Sequence, residues 1–217
     1  MIKKDWREFD TEGILKGMLY GMTTNELMTD NRFRHCKSVR DYSIEIIERI
    51  YKLVFPLSNG KLLEDNIILF SHAALMHDCM KGAANADTGV DHGKLAANVF
   101  KSIFGSTALP VDKNSYDLII EAIAMHSNKT ECLGNTSNPY LIALIFGDMI
   151  DHITPEYEAM MRKYAEEMKI NVDVYIGKKK VKIKEAIDVV EKNPHFGFIK
   201  DIIIDIIKRH MGGALFL

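Results

Sequence analysis

The chain has 217 residues and a formal net charge of −2, with 47% hydrophobic and 27% charged residues. That length suits one large domain, or one domain with an appendage, and can bury a core without covalent staples. The near-neutral balance argues against a general attraction to nucleic acid polymers or anionic membranes.

Cys36, Cys79 and Cys132 stand apart, with no Cys-x-x-Cys pair. An odd, scattered count argues against a disulfide framework and points to a reducing, cytoplasmic setting. The N-terminal stretch Met1 to Arg7 becomes charged too soon for a signal peptide. No apolar run reaches the roughly 18 residues needed to span a bilayer.

Glycine and proline are sparse, at 14 and 5, which favours long helices. Residues 11–29 read as one or two short helices. From Ser38 to Phe55, Val39, Tyr42, Ile46, Ile47, Ile50, Leu53 and Val54 recur at helical spacing, and Pro56 and Ser58-Asn59-Gly60 then break the chain. Leu62 to Met80 is apolar on most sides, as expected of a central buried helix. Gly82 to Gly89 reads as a polar loop. Asp91 to Phe104 is a third helix, followed by a loop with Gly105 and Pro110. Asn114 or Ser115 can cap a fourth, running to about His126. Ser127 to Asn138 reads as loop, and Pro139 opens a fifth helix reaching Ile153. Thr154-Pro155-Glu156 restarts a helix towards Met168, with a cap, a proline and an acid in order.

Asn171 to Ile183 alternates apolar and polar residues around Gly177-Lys178-Lys179-Lys180, the pattern of a short β-hairpin. Helices return at Lys184–Lys192 and Pro194–Met211. The expected fold is therefore all-α. A helical core with an N-terminal extension spans 1–153, and a helical and hairpin appendage over 154–217 packs on the same domain.

The chemistry-bearing residues are histidines and acids at helix ends. His35 immediately precedes the helix expected from Ser38, and His77-Asp78 lies near the end of the most apolar one. His92 opens the third helix, His126 ends the fourth, and Asp148 lies inside the apolar fifth. A carboxylate on an apolar helix needs a partner, because its desolvation costs several kcal/mol. A metal cation is one such partner, and imidazole with carboxylate suits Mn, Fe, Co, Ni or Zn better than Mg or Ca. Taken singly, each residue fits a structural role such as a cap, a dipole partner or a buried ion pair. Their joint occurrence favours one shared cleft.

These motifs resemble the HD-domain superfamily of metal-dependent phosphohydrolases. The quoted pieces are Arg-Phe-Arg-His35, Ala-Leu-Met-His77-Asp78-Cys-Met-Lys81, Asp-His92-Gly, Ala-Met-His126-Ser and Phe-Gly-Asp148-Met-Ile-Asp151. The resemblance covers residues 32 to 151 and fills all six ligand positions of the dinuclear members. It implies a helical core in which His35, His77, Asp78 and Asp148 hold one metal. His92 and His126 would hold a second, with Asp78 bridging. The implied cofactor is one or two divalent transition-metal ions, iron or manganese first, with cobalt, nickel or zinc as alternatives. The implied activity is hydrolysis of a nucleotide or another small phosphoester by a metal-activated water. Asp78 and Lys81 are the expected catalytic groups. Lys81, Arg34 and Arg32 are expected to bind the substrate phosphate, and Asp151 to orient a ligand.

The expected partner is a small phosphorylated molecule rather than a nucleic acid polymer or a membrane, and homodimerisation stays open. Two rival readings are a mixed-valent di-iron oxygenase of the same ligand type and a non-catalytic nucleotide- or metal-binding module. His152 reads as a local salt bridge or exposed polar edge, and His72 as a satisfied core histidine. Cys36 and Cys79 read as small buried residues. Substrate choice is expected to lie in 1–30, 105–115, 127–140 and 154–217, the parts with least resemblance to the family.

Overall fold

A computed structural model describes residues 6–22, 26–54, 60–81, 91–105, 109 and 111–211, and all regular structure among them is helical. After a short 3-10 turn at Trp6–Glu8 come α1 (Thr11–Met22), α2 (Glu26–Val54), α3 (Gly60–Met76) and α4 (His92–Phe104). Next are α5 (Lys113–Met125), α6 (Lys129–Leu133), α7 (Pro139–Asp151) and α8 (Pro155–Lys163). The last are α9 (Ala165–Met168), α10 (Val172–Glu191) and α11 (Ile199–Met211). The expected polar loop over Gly82 to Gly89, the break from Pro56 to Asn59, and residues 1–5 lie outside the described residues.

The axis of the fold is α7. Its sequence is apolar on every side, and all residues from Tyr140 to Asp151 are buried. Asn138 starts it, its side-chain oxygen accepting from the Tyr140 and Leu141 amides while Pro139 fills the first turn. The Asn138 amide also donates to Leu118 O at 2.8 Å, tying the start of α7 to α5. α2 lies along α7 in the most extensive helix pairing of the molecule, with α3 and α5 flanking. Gly147 permits the close crossing: a Cβ there would sit 2.9 Å from Val39 O and 3.1 Å from Ser43 N.

Several local expectations are corrected. α2 begins at Glu26, so His35 lies inside a helix of 29 residues rather than before one. Cys36 and Val39 continue the buried stripe of Ile46, Ile47 and Ile50 back towards the N-terminus, and packing on α7 keeps that segment helical. Asp112, not Asn114 or Ser115, caps α5, accepting from the Ser115 amide at 2.9 Å. α3 ends at Met76, so residues 77–81 form successive turns instead of one more helical turn. The segment 127–138 contains the short helix α6, and the restart at Thr154 ends α8 at Lys163.

The β-hairpin over 171–183 is also overturned, because that segment is the first half of α10. Asn171 caps it by accepting from the Val174 amide at 3.1 Å. Of the alternating apolar residues, Val172, Ile176 and Ile183 are buried while Val174 and Val181 are exposed. That division follows helical spacing, and a lone two-stranded ribbon has little to gain in water. Ile183, Ile187 and Val190 of α10, with Ile199, Ile203, Ile206 and Ile207 of α11, belong to the same apolar core as α2 and α7. A smaller cluster, Tyr157, Met161, Val172 and Ile176, joins α8 to the start of α10. No helix among the described residues is long and apolar enough to cross a membrane.

Candidate metal centre

The six predicted ligands come together. Asp78 stands at the middle, in the turn just after α3, with 1% of its surface exposed. Its Oδ1 lies 3.1 Å from His92 Nε2 and 3.3 Å from His126 Nε2, and its Oδ2 lies 3.7 Å from both His35 Nε2 and His77 Nε2. Asp148 Oδ1 approaches the same His35 nitrogen at 3.3 Å. Three groups can each gather ligand atoms within 4.8 Å: His35 with His77 and Asp78, Asp78 with His92 and His126, and His35 with Asp148 and His152.

Each element aims its side chain for a local reason. α4 starts at His92 because Asp91 caps it, accepting from the Gly93 amide at 2.7 Å. Gly93 lets the start of α4 meet the end of α5, since a Cβ there would come within 2.8 Å of Ile123 O and 2.9 Å of Ala124 O. That close approach brings the His92 and His126 rings to 5.1 Å. His77 Nδ1 is 2.7 Å from Ala74 O, and His126 Nδ1 is 2.7 Å from Ile123 O. A carbonyl only accepts, so both Nδ1 atoms carry a proton, and both Nε2 atoms are turned towards Asp78.

His35 is held differently. Its Nδ1 donates to Asp151 Oδ2 at 2.7 Å, and Arg34 grips the same carboxylate through two bonds of 3.0 and 3.2 Å. Asp151 thus fixes the orientation of the His35 ring. Arg34, expected at the substrate phosphate, pairs with Asp151 and does not line the cavity, whereas Arg32 does. Replacing Asp151 by Asn is expected to weaken metal binding about 10- to 100-fold without unfolding the chain. A metal titration on the folded variant, monitored by calorimetry, checks this, and wild-type affinity would contradict the orienting role.

Electrostatics fit a cation. Burial opposes charge on Asp78, but the imidazoles of His77, His126, His35 and His92 outweigh it and hold its carboxyl well below the usual range. Burial pushes the His77 imidazole down to about 3, which keeps it neutral and able to ligate. Burial also opposes charge on His35, yet Asp148, Asp151 and Asp78 outweigh it and raise its pKa to about 10. A cation among these carboxylates competes for the same negative potential as that proton. The fit rests on atoms as well as charge: the Nε2 atoms of His35 and His77 are buried and make no hydrogen bond.

Lys81 reaches back to Asp78 Oδ2 at 2.5 Å while also lining the cavity. Burial works against its charge, but Asp78 and Asp148 prevail and raise its pKa. The metal centre forms part of a cavity of about 480 Å³. Another part of its wall is Tyr157, Met160, Met161, Tyr164, Tyr175 and Lys179, from α8 and α10 and the residue between α8 and α9. His152 makes the local pairing with Asp148 that its spacing suggests, but it is no exposed edge. It is buried, its Nδ1 lies 2.6 Å from Asp148 O and 3.2 Å from Asp148 Oδ1, and it lines the cavity. Its spacing of four residues from Asp148 was the available signal. Burial pushes its pKa down; Asp148 opposes this, and the charges of His35 and Lys179 add to it.

His72 places Nδ1 2.6 Å from Thr11 Oγ1, but its Nε2 is buried without a hydrogen-bond partner among the described residues, so the expected satisfied histidine is only half met. Cys36 and Cys79 are buried thiols, each pushed up by burial first and then by Asp78. Comparisons with protein families, with curated proteins and with solved structures found no match for this chain.

Proposed function

We propose that the protein is an HD-type metal-dependent phosphohydrolase, cytoplasmic, acting on a nucleotide or another small phosphoester. The observation that carries this reading is the convergence of four histidines on Asp78, with Asp148 beside His35. An N/O donor set of this kind takes transition-metal ions, with iron or manganese as the first expectation. A bound divalent cation supplies a Lewis acid for a phosphoryl oxygen and lowers the pKa of water.

The chain's own residues do the rest. Asp78, which belongs to two groups of candidate ligands, would hold metal together with His35 and His77 and with His92 and His126. Asp148 and His152 add donors on the side of His35. Lys81 and Arg32 bring positive charge to the cavity and suit an anionic substrate. An anionic substrate suits the oxygenase alternative as well, so dependence on oxygen separates the two readings.

The test is a turnover screen of phosphomonoesters, dinucleoside polyphosphates and cyclic nucleotides with Mn²⁺, Fe²⁺, Co²⁺ or Ni²⁺. The expected result is release of phosphate or nucleotide that chelation abolishes and metal restores, equally with and without oxygen. No turnover under any condition would overturn the proposal, and turnover only in oxygen would favour the oxygenase.

A further inference from the structure

Lys179, a cation on the cavity wall, is out of register with its helix. Along α10 the inward positions run 172, 176, 183, 186 and 190, occupied by Val172, Ile176, Ile183, Ala186 and Val190, all buried. Position 179 completes that seam, three residues after Ile176 and four before Ile183, and it holds a lysine. An apolar side chain there would join the clusters on either side. A charge in such a seam costs stability unless it is matched.

Among the described residues no carboxylate pairs with Lys179, and its ammonium sits 5.1 Å from the centre of the Tyr175 ring. The side chain lines the cavity. Lys81, by contrast, already has Asp78 as counter-ion. A continuous wall connects Lys179 to the metal centre. The Tyr175 and Tyr157 hydroxyls are 3.2 Å apart, and the Tyr157 ring packs 4.8 Å from His152. Met160 and Met161 line the same side. A ligand with its phosphoryl group among the metal ligands would therefore lay an apolar or aromatic body along this wall and meet Lys179 past the two tyrosines.

We infer that Lys179 binds a second anionic group of the substrate, so that the substrate class is a phosphoester whose flat or apolar body carries another negative charge remote from the phosphoryl. The phosphoryl end of this assignment rests on the function proposed above; the role of Lys179 is tested by binding alone.

The experiment uses two phosphonates that resist hydrolysis, benzylphosphonate and para-carboxybenzylphosphonate, titrated calorimetrically into the manganese-loaded full chain. They differ only in the remote carboxylate. The carboxylated probe is expected to bind at least about tenfold more tightly, the scale of one charge-assisted hydrogen bond. Lys179→Met should erase that advantage while leaving benzylphosphonate affinity unchanged, and Lys179→Arg should keep it. Lys179→Met places an apolar, helix-favouring residue in the seam, so it should melt no lower than wild type and any loss is not unfolding. Equal affinity of the two probes for wild type, an advantage that survives Lys179→Met, or no binding of either probe would overturn the inference. A carboxylate preference without turnover of any phosphoester would defeat the hydrolase reading and leave the role of Lys179 intact. Turnover without the preference would do the reverse.

Discussion

Asp78→Asn is expected to bring bound metal to background and to lower phosphoester turnover by roughly 10³-fold or more. Asp78 offers one oxygen to His92 and His126 and the other to His35, His77 and Lys81, so both halves of the site depend on it. The amide of Asn keeps the shape but removes the charge. Stabilising transition-state charge through a metal is worth several kcal/mol, and each 1.36 kcal/mol is about tenfold in rate. Elemental analysis and steady-state kinetics read the two effects, and circular dichroism checks the fold. His92→Gln provides the finer comparison. It removes a donor from the half formed by Asp78, His92 and His126 while leaving His35, His77 and Asp148 in place. It should lower metal content without abolishing it. Full activity in both Asp78→Asn and His77→Ala would remove the site.

Gly147→Ala should destabilise the protein by about 1–3 kcal/mol, although alanine is normally the better helix former by about 1 kcal/mol. The new Cβ would meet Val39 O at 2.9 Å, Ser43 N at 3.1 Å and the Ser43 hydroxyl. Two of these are backbone atoms of α2, which cannot rotate away, so α2 and α7 must separate. His35 rides on α2 and Asp148 follows Gly147 on α7, so metal affinity should fall together with stability. Gly177→Ala is the matched control. It lies inside α10 with open space around its Cβ position, and it should stabilise by up to about 1 kcal/mol. Urea denaturation of both variants measures the contrast. A stabilising Gly147→Ala would contradict the close crossing, and a strongly destabilising Gly177→Ala would contradict the helix at 172–191.

What local sequence determined is the helical class and the ligand candidates. Long apolar stretches with few breakers give helices wherever they lie, and a carboxylate on such a stretch, as at Asp78 and Asp148, is costly enough to mark itself. Pro139, Thr154 and Pro155 announced their helix starts because caps and first-turn prolines act only on the residues next to them. What only the tertiary structure decided depends on partners distant in sequence. Val172 to Ile183 fits strand alternation and helical spacing alike, and burial against the core selects the helix. Arg34 and Arg32 look equivalent along the chain, yet Asp151, more than a hundred residues away, takes the charge of Arg34. The site values of His152 and Lys179 emerge only when α7, α8 and α10 enclose one cavity. Periodicity reports which face of a helix is apolar; the close crossing of α2 and α7 decides which charges then face each other, because that is set by packing between surfaces and not by neighbours along the chain.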